Sequence, residues 1–284
     1  MTTSVMIKVA AAVLLAPVVG ALIQGIDRKL TARMQGRIGP PILQPFYDIL
    51  KLLRKEPVIV NRVQILYVLM HLAFMVLATL LLVIGQDSLM FLFVLAFSSL
   101  ALVLGGMAVR SPYSRIGSQR EIIMMVAYEP ILVLMVVGFY LVNGSFQMQR
   151  VIDASEPLML QLPLIFLAYL TVVAVKLQKS PFDLATSHHA HQEIVKGITI
   201  EYSGPYLAII EIAHCYEVVV FLGLVALFWT TNWLVAAAFV VAAFLGAIVV
   251  DNIVARLTTM WMLKFMWVVV LGLALTNVLW LYWQ

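Results

Sequence analysis

Charge is scarce in this chain. Only 11% of its 284 residues are Asp, Glu, Lys or Arg, against roughly a quarter in soluble proteins, which argues against a water-soluble globule. Cysteine is scarcer still: Cys215 stands alone, so this sequence cannot build a disulfide framework, an iron–sulfur cluster or a thiolate zinc site. Cys215 lies inside an apolar run and reads as a small hydrophobe. Internal repeats and low-complexity tracts are missing too, which weighs against a transporter made of inverted halves.

What is abundant is apolar length. Hydrophobic residues make up 63% of the chain, and a membrane-crossing helix needs roughly 20 of them in a row. Eight runs qualify: Val5–Gly25, Gln64–Gly85, Ser88–Val109, Glu121–Val142, Leu158–Lys176, Pro205–Trp229, Trp233–Val250 and Trp261–Tyr282. They are continuously apolar rather than alternating, so helices are expected and not a barrel. The fold class is an all-α, polytopic membrane protein in a single integral domain spanning residues 1–284. The first run lacks a small-residue cleavage site before Asp27-Arg28-Lys29 and reads as a retained helix.

Basic residues fall almost entirely on alternate connections. Segments 26–63, 110–120, 176–204 and 251–264 hold 8, 3, 3 and 2 Lys or Arg, which is 16 of the 18; Lys8 and Arg150 are the others. The positive-inside rule makes the loops at about 26–63, 110–120, 177–204 and 251–260 cytoplasmic. With eight spans, both termini are then expected on the outer face of the cell membrane. The net charge of +4 is thus a topological signal, and no nucleic-acid partner is implied. Within the first cytoplasmic segment, Gly39-Pro40-Pro41 separates a basic arm from "LQPFYDILKLLRKE". Leu43, Phe46, Ile49, Leu50 and Leu53 recur there at helical spacing, opposite Asp48, Lys51, Arg54, Lys55 and Glu56. An amphipathic helix lying on membrane lipid is expected, either as a simple anchor or as a platform for a soluble partner.

Taken together, "DRKLTARMQGRIGPP", "LQPFYDILKLLRKE", "PFDL" and "EIVKGITIEYSG" resemble the heel subunit of respiratory complex I. That eight-helix subunit joins the hydrophilic arm to the proton-pumping arm. Two departures, the short stretch before "LQP" and the run "ATSHHAHQ" in place of a Glu-rich one, are similar to the membrane-bound, energy-converting nickel–iron hydrogenases of the Ech type. The resemblance implies a non-catalytic anchor and coupling subunit for a ferredoxin-linked, hydrogen-evolving module. The nickel–iron site and iron–sulfur clusters would lie in partners and no cofactor in this chain. Implied partners are hydrogenase large and small subunits, an iron–sulfur subunit and an antiporter-like membrane subunit, with ferredoxin reached through the complex.

Ionisable residues inside a span cost several kcal/mol and are functional hypotheses by default. Glu129 lies in the fourth run, followed by Pro130, where a kink is expected. Glu211, His214 and Glu217 step by three along the sixth run and form a polar stripe on one helix face. Each could be structural, as a protonated carboxyl bonded to a neighbour. As a set they offer groups that change protonation within hydrogen-bond reach, as a proton path requires. The resemblance adds Asp183, Glu193 and Glu201 as motif carboxylates leading inward, matches Glu129 to the family's fourth-span Glu, and puts the family's sixth-span Glu at His214.

Three histidines, His188, His189 and His191, crowd the loop before the sixth run. Metal binding, proton relay or partner contact, and a solvated loop are the alternatives for them; neighbouring histidines share one metal poorly and no thiolate helps. His71, alone in the second run, reads as a bonded interhelical histidine. Arg28, Lys29, Arg33 and Arg37 could meet anionic headgroups, acidic residues of a docked subunit, or a cavity. By resemblance Arg37 matches the arginine that lines the family's quinone cavity, and Arg120 a position able to tune Glu129. No quinone turnover is expected. Two other readings stay open: the equivalent subunit of a formate-linked or quinone-linked relative, and an independent ion transporter.

Overall fold

The computed structural model describes residues 3–182 and 196–283, with side chains from Met6 onward. Among these residues it is all helical. Helix α1 (Thr3–Met34) continues well past its apolar run. After a turn the short α2 (Gln44–Leu53) follows, with Pro45 in its first turn. Helix α3 (Arg62–Ile84) is capped by Asn61 and stopped by Gly85 at φ 77°, a left-handed value that suits glycine. Asp87 caps α4 (Ser88–Met107) by accepting from Leu89 N and Met90 N. Helix α5 (Pro112–Asn143) runs unbroken through Pro130.

The fifth apolar run departs from expectation. It is a turn of helix, α7 (Leu158–Gln161), after the short α6 (Met148–Ile152), and then a 14-residue α8 (Pro163–Lys176). Pro163 has no N–H to continue the α7 ladder, and a break in lipid must satisfy its freed backbone groups from within the protein. Asn277 does so: Oδ1 accepts from Leu164 N and Ile165 N, and Nδ2 donates to Gln161 O. Helix α9 (Gly204–Ala226) and α10 (Trp233–Ile253) follow. The last span is α11 (Thr259–Lys264), a π-helical turn over Phe265–Val270, and α12 (Leu271–Tyr282). Among the described residues seven helices are therefore long and apolar enough to cross a membrane, with Pro163–Lys176 as a shorter eighth.

Burial sorts them into layers. More than half of the apolar window is covered in α4, α5 and α9, but only 22% in α1 and 17% in α10, so the latter two form the rim. The core is built on fully buried aromatics, Tyr128, Tyr169, Phe91, Phe139, Phe221 and Phe228, with Tyr169 OH donating to the Phe221 carbonyl at 2.7 Å. Gly20 lets α1 close onto α9: a Cβ there would stand 2.1 Å from the Cys215 carbonyl oxygen.

The basic segments gather at one end of the bundle. Arg28 meets Asp48 at 2.7 Å, Asn61 Nδ2 donates to Ala108 O, Val58 N donates to Ser203 Oγ, and Gln35 reaches Asn252. Lys179 binds Asp27 at 2.6 Å and Asp251 at 3.3 Å, tying α1 and α10 to the end of α8. At the opposite end, Ser88 N donates to Phe146 O and Thr230 Oγ1 to Val151 O.

Helix α2 is amphipathic. Pro45 is buried and Ile49 and Leu52 half-buried on the protein side, whereas Leu43, Tyr47, Leu50 and Leu53 are exposed. The apolar arc is wider than one protein contact, and its outer part is free for lipid or a partner.

Candidate functional site

Lys176 is the centre of the site. It ends α8, and counting it with a solvent-facing loop does not survive: its side chain is buried. Its Nζ lies 3.0 Å from Glu217 Oε1 on α9 and donates to Ser99 Oγ on α4 at 3.1 Å. It also sits 4.4 Å from the centroid of the Tyr128 ring on α5, close enough for cation–π attraction. One ammonium thereby holds four helices together. Glu217 turns its other oxygen to His214 Nδ1 at 3.1 Å. On the far side of Ser99, Ser98 Oγ donates to the His71 carbonyl, and His71 Nδ1 stands 2.9 Å from Ser98 O and Oγ. His71 is thus the bonded interhelical histidine its isolation suggested.

These groups face a cavity enclosing about 770 Å³, part of it open to solvent. Glu121, Met124 and Tyr128 line it from one face of α5, and Glu211, His214 and Glu217 from α9. Both sets follow the helical period, with the members three or four apart stacked on one side. Ile198 and Thr199 roof it. That roof seats on α5 because Gly117 has no side chain; a Cβ there would stand 2.4 Å from Ile198 N. The cavity brings three carboxylates, two imidazoles and one ammonium within a single enclosure. In a low-dielectric surrounding the charge of each member of such a set depends on the charges of its neighbours.

The expected site residues divide accordingly. Glu211, His214 and Glu217 meet as the stripe required. Glu129 does not line the cavity; its neighbour Tyr128 does, and Glu129 Oε1 is buried with no hydrogen-bond partner among the described residues. Glu201 lies beside a smaller recess with Asn61, Gln64 and Tyr202. Burial raises the Tyr202 phenol to about 12, so it stays neutral. Arg28 is committed to Asp48, Arg33 and Arg37 are exposed with Arg37 touching Gln35, and Arg120 is half-buried. Asp183, His188, His189, His191 and Glu193 lie outside the described residues. Among the described residues no three His, Cys, Asp or Glu side chains are arranged to hold a metal ion.

Sequence reasoning passes over Lys176, Glu121, Tyr128 and Ser99. A lysine closing the unbroken apolar run "PLIFLAYLTVVAVK" is the available signal, since such a lysine either snorkels or is paired. Glu121 stands at the border of its run, where a carboxylate reads as an edge residue.

An all-helical membrane protein with a polar cavity built around a buried ion pair is the class that fold and site define. The chain belongs to the NADH dehydrogenase family, whose model matches residues 7–282. It is 32% identical over 246 residues to the H subunit of the NADH-quinone oxidoreductase of Geobacillus kaustophilus, covering 78% of this chain and 73% of that one. The corresponding polypeptide of Bacillus cereus strain B4264 is 34% identical over 218 residues, 68% of this chain and 65% of its own length. Among solved structures it is similar to a chain of the membrane-bound sulfane sulfur reductase, an archaeal respiratory membrane complex. That match has a TM-score of 0.87 and 25% identity, covering 98% of this chain and 99% of the other. The likeness to the complex I heel subunit stands.

Proposed function

We propose that this chain is the membrane anchor and coupling subunit of an energy-converting nickel–iron hydrogenase. It docks the ferredoxin-oxidising, hydrogen-evolving module at the end where the basic segments meet, and its cavity supplies proton-exchanging groups for redox-driven ion movement. Hydrogenase large and small subunits, an iron–sulfur subunit and an antiporter-like membrane subunit are the proposed partners. Electrons stay in those partners, because one cysteine cannot hold a cluster. The observation that carries the reading is the buried Lys176–Glu217–His214 array facing a cavity near that basic end. Full-length similarity to a chain of a respiratory membrane complex supports it.

Purification of the complex through a tag on this chain tests it. Nickel, iron and hydrogenase subunits should copurify, and ferredoxin-driven hydrogen production in vesicles should build an ion gradient. Copurification of formate-oxidising or NADH-oxidising subunits, or of stoichiometric quinone, supports the second reading, a formate-linked or quinone-linked relative. The names of the Geobacillus and Bacillus relatives favour that alternative. Isolation of the chain alone with transport activity would overturn both.

A further inference from the structure

A second recess lies at the basic end between α2 and the start of α9. Its space, part of it open to solvent, is about 780 Å³, and it is floored by Pro45, Ile49, Leu52 and Leu207. Six charged side chains rim it: Arg28, Lys51, Lys55 and Lys196 against Asp48 and Glu211. Their pairing is uneven. Arg28 is taken by Asp48 at 2.7 Å, and Asp48 also accepts from Gln44 at 2.9 Å. Glu211 forms the inner wall and at the same time lines the Lys176 cavity. No ion pair or hydrogen bond of the side chains of Lys51, Lys55 and Lys196 is found among the described residues.

Three ammonium groups with no partner among the described residues stand around one cleft and repel each other. Lys51 and Lys55 are an i,i+4 pair of like charge, which is unfavourable on a helix. Lys196 is held at φ 59°, a left-handed conformation uncommon for a residue with a side chain. A wall of cations above an apolar floor is complementary to a ligand that has an anion at one end and hydrocarbon at the other. The exposed apolar residues Leu43, Tyr47, Leu50 and Leu53 of α2 mark the outer flank of the same helix as a surface suited to acyl chains.

We propose that this cleft binds the phosphate of an anionic membrane lipid, with Lys51, Lys55 and Lys196 on the phosphate oxygens and Ile49, Leu52 and Leu207 against the first part of the acyl chain. Each ammonium is a compact point charge with three donors, suited to phosphate without demanding bidentate geometry. A zwitterionic headgroup brings its own cation into the rim and is disfavoured.

The test uses the detergent-purified, delipidated complex, titrated calorimetrically with dihexanoyl phosphatidic acid, dihexanoyl phosphatidylcholine and inorganic phosphate. Phosphatidic acid should bind with about one molecule per chain, and at least tenfold more tightly than either comparison ligand. The triple variant Lys51→Gln, Lys55→Gln, Lys196→Gln should lose at least tenfold in affinity, whereas Lys51→Arg with Lys55→Arg should retain it. Because these positions are exposed, elution volume and subunit composition should match wild type, which separates lost binding from lost assembly. Equal affinity in the triple variant overturns the site. Equal binding of phosphatidylcholine overturns the anionic preference, and equal binding of inorganic phosphate overturns the lipid assignment. Absence of any binding to the assembled complex, with the cleft occupied by a partner protein, overturns it as well.

Discussion

The Lys176 ammonium at the end of α8 lies 3.0 Å from the Glu217 carboxylate in the middle of α9, and each partner is nearly sealed from solvent. Breaking a buried pair on one side leaves an uncompensated charge and costs about 3–5 kcal/mol, while removing both partners costs far less. Glu217→Gln should therefore lower the thermal stability of the purified chain markedly, and Glu217→Gln with Lys176→Met should recover most of the loss. Equal melting temperatures for wild type and Glu217→Gln would show that the pair contributes nothing to the bundle.

Proton exchange is expected at the carboxylates that line the cavity. Gln keeps the shape and much of the hydrogen bonding of Glu but takes up no proton near neutral pH. Glu121→Gln and Glu211→Gln should assemble, keep hydrogen production by the detached soluble module, and reduce ferredoxin-driven ion movement in vesicles about tenfold or more. Glu129→Gln should reduce it less than either, because Glu129 does not line the cavity. Wild-type pumping by the Glu121 and Glu211 variants would make these groups structural.

Close packing of α1 on α9 rests on the missing side chain of Gly20. An alanine there would bring Cβ to 2.1 Å from the Cys215 carbonyl oxygen, and relief by moving α1 should cost about 1–3 kcal/mol. Cys215, buried in the native chain, should then react faster with a small membrane-permeant maleimide. Unchanged labelling would mean that the helices separate elsewhere.

Sidedness can be read from two exposed positions on opposite ends of α5 and its following loop. In a Cys215→Ala background, Gln119→Cys should label only from the cytoplasm and Ser155→Cys only from outside, as the charge distribution requires. Ser118, one residue earlier, is unsuitable because it is fully buried and bonded to the Ser114 carbonyl. Labelling of both reporters from one face would contradict the arrangement of spans.

The spans were legible because lipid demands uninterrupted apolar length, and runs such as Ser88–Val109 have no other use. The stripe Glu211–His214–Glu217 was legible because three-residue steps fix a helix face whatever surrounds it. Partners across helices were not. Nothing in "AVKLQKS" states that Lys176 turns inward to Glu217 whereas Lys179 turns to Asp27 and Asp251; the three-residue step between them places them near one face, and tertiary packing separates their fates. The break at Pro163 is equally hidden, because the asparagine that makes it tolerable, Asn277, lies 113 residues beyond Leu164. Helix α2 is plain in the sequence but its buried seam is not, since an apolar arc that wide offers more than one side to the protein.

The shortness of α8 has an electrical consequence. Fourteen residues rise only about 21 Å, against a hydrocarbon layer of roughly 30 Å; α7 continues the run at one end, and a polar, partly open cavity lies at the Lys176 end. The insulating layer is locally thinner there. A membrane voltage falls mainly over the sealed part of the bundle, beyond Lys176, rather than across the enclosure in front of it. On the proposed function, protons redistributed among Glu121, His214 and Glu217 would therefore do little work against that voltage. A proton carried from the cavity to the opposite face crosses nearly the whole drop, about 2.3 kcal/mol for every 100 mV.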